Sequence, residues 1–277
     1  MAGERAFFPS DRFFLLAGPC VLESDDLNAR VAEHLARLAE RVPGGVVFKA
    51  SFDKANRSNV RGFRGPGLEA GLAALARVRD RSSLPVVTDV HLPEQCAQTA
   101  AVVDVLQIPA FLCRQTDLLK AAGATGKAVN VKKGQWMTPE AMVGAVDKVR
   151  SSRPGASGAE VALTERGSFF GYGDLVVDMR AIPRMSAAAS CSVIFDATHA
   201  VQQPGKGEDG SSGGVRGMIP TLALAAVAAG ANGLFLETHP DPDHAPSDGP
   251  NMVPLDELDA LIDRAIDVWA AVRGRAS

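Results

Sequence analysis

The sequence predicts a (β/α)₈ barrel, the TIM barrel, as a single α/β domain over residues 1–277, and three observations lead there. Short runs rich in Val, Ile, Leu and Phe alternate with longer amphipathic stretches, the pattern of repeated strand–helix units. Eight such runs fit into 277 residues, and an eight-unit barrel usually takes roughly 250. No Gly-x-Gly-x-x-Gly follows the first run, and no linker or change of composition divides the chain, which turns the reading away from an open dinucleotide-binding sheet.

In chain order the first strand is FFLLAG (13–18), which breaks off at Gly18, Pro19 and Cys20. LNARVAEHLARLAERV follows with apolar residues at helical spacing, then the strand GVVFKAS and the helix GLEAGLAALARVRDR. PVVTDV and VDVLQIP are the third and fourth strands, each followed by a shorter helical pattern, and AVNVKKG leads into PEAMVGAVDKVRSS. EVALTER is the sixth strand, again with a weaker helix after it. CSVIFDATH leads into the Gly- and Ser-rich GKGEDGSSGGVRG and then PTLALAAVAAGA. GLFLETH is the eighth strand, and LDELDALIDRAIDVWAAV closes the chain as an amphipathic helix. In a barrel the Gly-rich stretch is a loop after a strand, so residues 205–217 are expected to form a mobile lid.

Composition narrows the chemistry. A formal charge of −3 gives no reason to expect nucleic acid or an anionic membrane surface as partner. The N-terminus has no basic region leading into a long apolar one, and FFLL is too short to span a bilayer; a cytoplasmic protein acting on small molecules is expected. A chain near this length buries about three quarters of its unfolded surface, so no disulfide is needed for stability. Cysteines 20, 96, 113 and 191 form no Cys-x-x-Cys pair and are expected as reduced thiols.

Chemistry in such barrels collects at the carboxyl ends of the strands. Those ends carry Cys20, Lys49, Asp89, Gln107, Lys132, Arg166, His199 and Glu237 in order: every strand contributes a polar or reactive group. Lys49, Lys54, Arg57, Lys132, Lys133 and Arg166 are cations at or just past strand ends in a chain of net negative charge. Such a concentration suits phosphate and carboxylate groups, so phosphorylated substrates fit best. Strand alternation turns Lys133 away from Lys132, toward water. Lys132 or Lys49 also suits Schiff-base chemistry. Cys20, His199 and Glu237 belong to strands one, seven and eight, neighbours in a closed barrel, and Asp248 in APSDGPN is a fourth group within reach. Thiolate, imidazole and carboxylates suit a divalent transition metal such as zinc or iron. His239, Asp241, Asp243 and His244 in THPDPDH compete for that role.

The motifs AGPCVLES, FKASFDKANRSN, RGPGLEAGL, TDVH, LQIPAFLCRQTDLL, NVKKGQ, LTERGSFFGYGDLVVDMR, FDATHAVQQPG and LETHPDP with SDGPN together resemble the 3-deoxy-D-manno-octulosonate 8-phosphate synthase family. The likeness runs in unbroken order from about Leu15 to Leu255. It implies a (β/α)₈ barrel, a homotetramer, that condenses phosphoenolpyruvate with arabinose 5-phosphate and releases phosphate, supplying the inner core of lipopolysaccharide. The related seven-carbon synthases, 3-deoxy-D-arabino-heptulosonate 7-phosphate synthases, use erythrose 4-phosphate and carry a Lys-Pro-Arg-Thr-like sequence where this chain has KANRS, Lys54 to Ser58; the five-carbon aldose is therefore expected. By resemblance Lys54, Lys132 and Arg166 surround phosphoenolpyruvate with Lys49 and Gln107 close by. Asn56, Arg57 and Ser58 hold arabinose 5-phosphate, and Arg114 reaches that phosphate from an adjacent subunit. Asp89 and His199 are the candidates for proton handling, with Lys132 and Asp248 beside them in the catalytic set. The family uses no covalent imine, and its metal-independent members carry Asn where this chain has Cys20. The resemblance therefore implies a divalent metal held by Cys20, His199, Glu237 and Asp248, and sets His239 and His244 aside.

Overall fold

The structure, a computed structural model, describes residues 6–56, 62–155, 160–169, 173–207 and 213–273. Its frame is eight parallel strands: β1 Phe14–Gly18, β2 Val46–Lys49, β3 Val86–Asp89, β4 Val105–Ile108, β5 Ala128–Lys132, β6 Val161–Glu165, β7 Ser192–Asp196 and β8 Gly233–His239. Each pairs with the next, and β8 pairs back onto β1 from Phe14 with Gly233 to Gly18 with Glu237, so the sheet is closed. Helices α1 Asp25–Ala39, α2 Leu68–Ser82, α3 Pro93–Ala100, α4 Thr116–Ala124, α5 Val143–Arg150, α6 Ala181–Ala189, α7 Ile219–Ala228 and α8 Leu258–Arg273 follow the strands in turn. The eight strands lie where the apolar runs put them, and the shorter helical patterns are the real α3, α4 and α6.

Side-chain alternation sorts each strand into two faces. Phe13, Leu15, Ala17, Val46, Phe48 and Leu106 join the helices in one apolar cluster outside the sheet. Phe14, Leu16, Val47, Val87, Val105, Ala128, Ala162, Ile194 and Phe235 form a second one inside it, which Phe8 completes from the N-terminal segment. Phe8 is held at the amino ends of the strands: its carbonyl accepts from Ser192 Oγ at 2.8 Å, and its N–H donates to Glu160 Oε1 at 2.6 Å. The barrel is thus plugged with hydrocarbon from below, as a packed core and not a pore.

Local signals fix the helix ends that matter. Ser24 caps α1, accepting from Leu27 N at 3.2 Å, with Asp25 and Asp26 in the first turn where the helix dipole favours them. At the seam α1 meets α8: His34 Nε2 lies 2.6 Å from Asp259 Oδ1, and Arg41 forks onto Asp263 at 2.8–2.9 Å. All four cysteines are unpaired, as expected, and burial pushes the thiols of Cys96 and Cys191 up to about 11. No helix among the described residues is long and apolar enough to cross a membrane.

Candidate active site

Inside the barrel the strands change character as they rise. Counting by twos from the apolar plug, Val47 leads to Lys49, Val87 to Asp89, Val105 to Gln107, Ala128 to Asn130 and Lys132, Ala162 to Thr164 and Arg166, Ile194 to Asp196, and Phe235 to Glu237. Hydrocarbon below excludes water, and the polar upper positions face the carboxyl-end mouth. β1 ends differently, at Gly18. A Cβ there would lie 2.1 Å from the carbonyl oxygen of Lys49, so only glycine lets β1 run this close to β2 before the chain turns at Pro19 to present Cys20.

Three carboxylates organise the mouth, Glu237 and Asp196 buried and Asp248 half-buried. Glu237 Oε1 accepts from Lys49 Nζ at 2.8 Å and lies 3.8 Å from Lys54 Nζ. Burial works against its charge, but Lys49, His199 and Lys54 outweigh burial and hold its pKa well below the carboxylate range. Asp196 Oδ2 accepts from Lys132 Nζ and lies 2.7 Å from His199 Nδ1, while Oδ1 accepts from His199 N at 2.8 Å and Thr198 Oγ1 at 3.1 Å. Its pKa is likewise far depressed: burial opposes ionisation, and His199 and Lys132 more than offset it. Asp248, at φ +52 in the left-handed region that Asp tolerates better than most residues, accepts from Cys20 Sγ at 3.1 Å and Ser247 Oγ at 3.0 Å on Oδ2. Its Oδ1 accepts from Gln202 Nε2 at 3.1 Å.

The cations are held as tightly. Lys49 also donates to the Cys20 carbonyl at 3.2 Å. Lys132 Nζ sits 3.4 Å from the centroid of the Phe235 ring, with Lys49 Nζ 5.2 Å from it, so one aromatic face is the floor beneath both charges. Burial lowers the pKa of Lys132 despite Asp196. Burial also lowers that of Lys54, but the negative groups around it, Cys20 and Glu237 foremost, reverse the sign and raise it. Arg166 donates to Gln202 Oε1 at 2.6 Å and leaves Nη1, also buried, without a partner among the described residues.

Donor atoms of Cys20, Glu237 and Asp248 lie within 4.8 Å of one another, the one such group among the described residues. His199 Nε2 approaches it at 3.6 Å from Glu237 Oε2, an oxygen that is buried and has no hydrogen-bond partner among the described residues. The Cys20 thiol is pushed well up by burial and by Glu237, against the pull of Lys54. One sulfur, one imidazole nitrogen whose other nitrogen is held by Asp196, and two carboxylates are a donor set that fits a divalent transition metal. His239 lies apart from it, 3.2 Å from Glu23. His244 pairs with Asp241 and Asp243 with Arg216 at the surface.

Of the other expected residues, Asp89 and Gln107 join the cluster, Gln107 Nε2 donating to Asp89 Oδ1 at 2.7 Å. Burial works against the Asp89 charge, but Lys49 and Lys54 lead the influences that depress its pKa. Asn56 is exposed on the loop after β2, and Arg57 and Ser58 lie outside the described residues. Arg114 is exposed beyond β4, with no side-chain bond to the cluster among the described residues. Lys133 corrects the sequence reading: it does turn away from Lys132, but it is 1% exposed, 3.4 Å from Glu165 Oε2, and donates to the Gly134 and Met137 carbonyls instead of to water. The expected lid also falls partly outside the described residues, at 208–212. Gly213–Gly214 within it pairs as a ribbon with Gln202–Gln203 just before it. Asn130, Thr164, Asp196, Gln202 and Ser247 escaped the sequence reading. For the first three, period-two counting inward from Lys132, Arg166 and the apolar plug would have found them; the other two are loop residues with no such signal.

Comparison with known proteins agrees with this geometry. Residues 9–269 match the DAHP synthetase I family. A protein of Rhodopseudomonas palustris strain TIE-1 named 2-dehydro-3-deoxyphosphooctonate aldolase is 54% identical over 277 residues, 100% of this chain and 95% of its own. Proteins of the same name from Nitratidesulfovibrio vulgaris strain DP4 and Nitrobacter winogradskyi are each 56% identical, over 94% and 93% of this chain and 93% and 88% of theirs. The chain therefore belongs to the DAHP synthetase I family and, within it, to the 2-dehydro-3-deoxyphosphooctonate aldolases.

Proposed function

We propose that this chain condenses phosphoenolpyruvate with D-arabinose 5-phosphate and water to give 3-deoxy-D-manno-octulosonate 8-phosphate and inorganic phosphate, with a divalent metal bound by Cys20, His199, Glu237 and Asp248. One observation carries the reading: Lys49, Lys54, Lys132 and Arg166 converge beside that donor set at one mouth of the barrel. Two phosphorylated anions need such a concentration of cations to share a pocket. The relatives are named for an eight-carbon acid phosphate, which a three-carbon enol and a five-carbon aldose supply, and KANRS points to the same aldose.

In the reaction C3 of phosphoenolpyruvate bonds to the aldehyde carbon, whose oxygen takes up a proton. Water adds at C2 and loses one proton, and the C2–O bond to phosphate then breaks, the electron pair leaving with the phosphate, which takes the remaining proton of the C2 hydroxyl as the C2 carbonyl forms. The chain's work is to position two repelling anions and to neutralise the charge that shifts between them. Lys132 and Arg166 supply fixed positive charge for phosphate and carboxylate, Arg166 through an Nη1 that has no hydrogen-bond partner among the described residues. Asp89, held ionised, acts as an acceptor only. His199 is oriented through Nδ1 by Asp196, so that Nε2 faces the cluster. A bound metal would supply a positive charge near the aldehyde. Arg114 stands exposed near the solvent-facing pair Phe111 and Trp136, 6.0 Å apart, a placement suited to reaching a neighbouring copy in a homotetramer.

The test is phosphate release from phosphoenolpyruvate with arabinose 5-phosphate or erythrose 4-phosphate, each with and without exhaustive chelation. Faster turnover with arabinose 5-phosphate, lost on chelation and restored by added metal, is expected. Preference for erythrose 4-phosphate would overturn the aldose, and activity indifferent to chelation would overturn the metal.

A further inference from the structure

Below the mouth a chain of hydrogen bonds crosses five adjacent strands or their ends. Thr164 Oγ1 on β6 donates to Asn130 Oδ1 on β5 at 2.7 Å. Asn130 Nδ2 donates to Gln107 Oε1 on β4 at 2.9 Å, and Gln107 Nε2 donates to Asp89 Oδ1 on β3 at 2.7 Å. Ser51, just past β2, donates to Asp89 Oδ2 at 2.5 Å. Asp89, Gln107 and Asn130 are register partners in one row of the sheet, and Ser51, Asn130 and Thr164 are entirely buried. Asn130 and Thr164 each stand one inward-facing position below Lys132 and Arg166.

The direction of the chain is not free. An amide side chain offers an oxygen acceptor on one side and an NH₂ donor on the other, and the two faces exchange when it flips. An ionised carboxylate accepts only, so Asp89 demands the NH₂ face of Gln107. That leaves the Gln107 oxygen toward Asn130, demands its NH₂ in turn, and leaves the Asn130 oxygen toward Thr164. A threonine hydroxyl can answer there because it donates. Each link is buried, so a flipped amide would leave buried groups unpaired at a cost of about 1–3 kcal/mol.

We infer that Thr164 and Asn130 are positioning residues that act through Gln107, locking its amide so that the Asp89 carboxylate is held in one orientation beside Lys49, 3.8 Å away. The inference rests on the proposed roles of Gln107 and Asp89 at the substrate site. Thr164 touches no substrate; it sets the polarity of the row.

Two replacements of Thr164 separate positioning from packing. Thr164→Val keeps the shape and loses the hydroxyl; Thr164→Ser keeps the hydroxyl and loses a methyl group. If the relay operates, the valine variant loses roughly three- to tenfold in kcat/KM, the worth of one buried hydrogen bond, and its thermal midpoint falls as well, because Asn130 Oδ1 is left buried without its donor. The serine variant stays within about twofold of wild type, a hydrogen bond kept. Thr164 and Gln107 are two links apart, and effects of residues that do not share a network multiply. In a Gln107→Met background, therefore, Thr164→Val should produce no further loss. A valine variant as active as wild type, a serine variant as slow as valine, or losses that multiply in the Gln107→Met background would each overturn the inference. Should the valine variant not fold, Asn130→Leu enters the same cycle with the same expectations. Wild-type turnover is the control for the reaction itself; if it is absent, the coupling between positions 164 and 107 is read from thermal midpoints instead, and an additive result there overturns the relay.

Discussion

Asp196→Asn changes one buried oxygen into an NH₂ and leaves the volume of the site alone. The asparagine carbonyl can keep the bonds from His199 N at 2.8 Å and Thr198 Oγ1 at 3.1 Å. Its NH₂ then faces the Lys132 ammonium, donor against donor, and donates to His199 Nδ1, 2.7 Å away in the wild type. The imidazole must carry its proton on Nε2, the nitrogen 3.6 Å from Glu237 Oε2, and no lone pair remains there for a cation. Loss of an orienting partner lowers metal affinity about 10- to 100-fold, and a wrong histidine tautomer after the same substitution in a catalytic triad costs about 10⁴ in rate. We expect kcat to fall by about 10²- to 10⁴-fold on that basis. Stability falls too, by about 3–5 kcal/mol if Lys132 stays charged without its partner, less if it gives up a proton, as its already lowered pKa favours. The depressed pKa of Asp196 gives a pH signature. Its contribution is complete above the unfolded-state value near about 3.9 and is lost as pH falls below it, so the stability gap between wild type and variant narrows toward acid pH. Phosphate release at saturating substrate, metal content after gel filtration, and urea unfolding at neutral and acid pH measure the three effects. A variant with full metal content and kcat within about tenfold of wild type would refute the tautomer reasoning.

Three further outcomes follow from the same geometry. Cys20→Asn removes the sulfur from the donor group and should abolish stoichiometric metal binding, measured by elemental analysis; unchanged metal content would exclude Cys20 as a ligand. Gln202→Met breaks the bridge from Arg166 to Asp248 while nearly keeping its volume. The KM for phosphoenolpyruvate should rise about 10- to 100-fold, in line with the roughly 1.5–3 kcal/mol of a hydrogen bond to a charged group, and an unchanged KM would show that Arg166 needs no bridge. Lys133→Met strands Glu165 without its buried partner and should cost about 3–5 kcal/mol in urea unfolding. Lys133→Met with Glu165→Gln should cost less, and a single variant as stable as wild type would place Lys133 in water after all.

Most of the frame was legible because a barrel strand states itself locally: a few Val, Ile, Leu or Phe residues and then a polar residue at the mouth. Lys49, Asp89, Gln107, Lys132 and Glu237 were found that way. His199 stood for the end of the seventh strand, yet β7 stops at Asp196, the residue that binds both Lys132 and His199. Lys133 was assigned to water because alternation says which face a residue takes but not whether a helix covers that face.

Strand order, a closed α/β barrel and the chemical inventory of its mouth can be read along the chain, since periodicity and residue type are local properties. Which charges meet is settled by folding. Closure brings β1 against β8, setting Cys20 beside residues 247 and 248 at the far end of the chain, and the stagger of the strands lines Thr164, Asn130, Gln107 and Asp89 into one directed row. Distance and hydrogen-bond direction arise between strands, and no single strand encodes them.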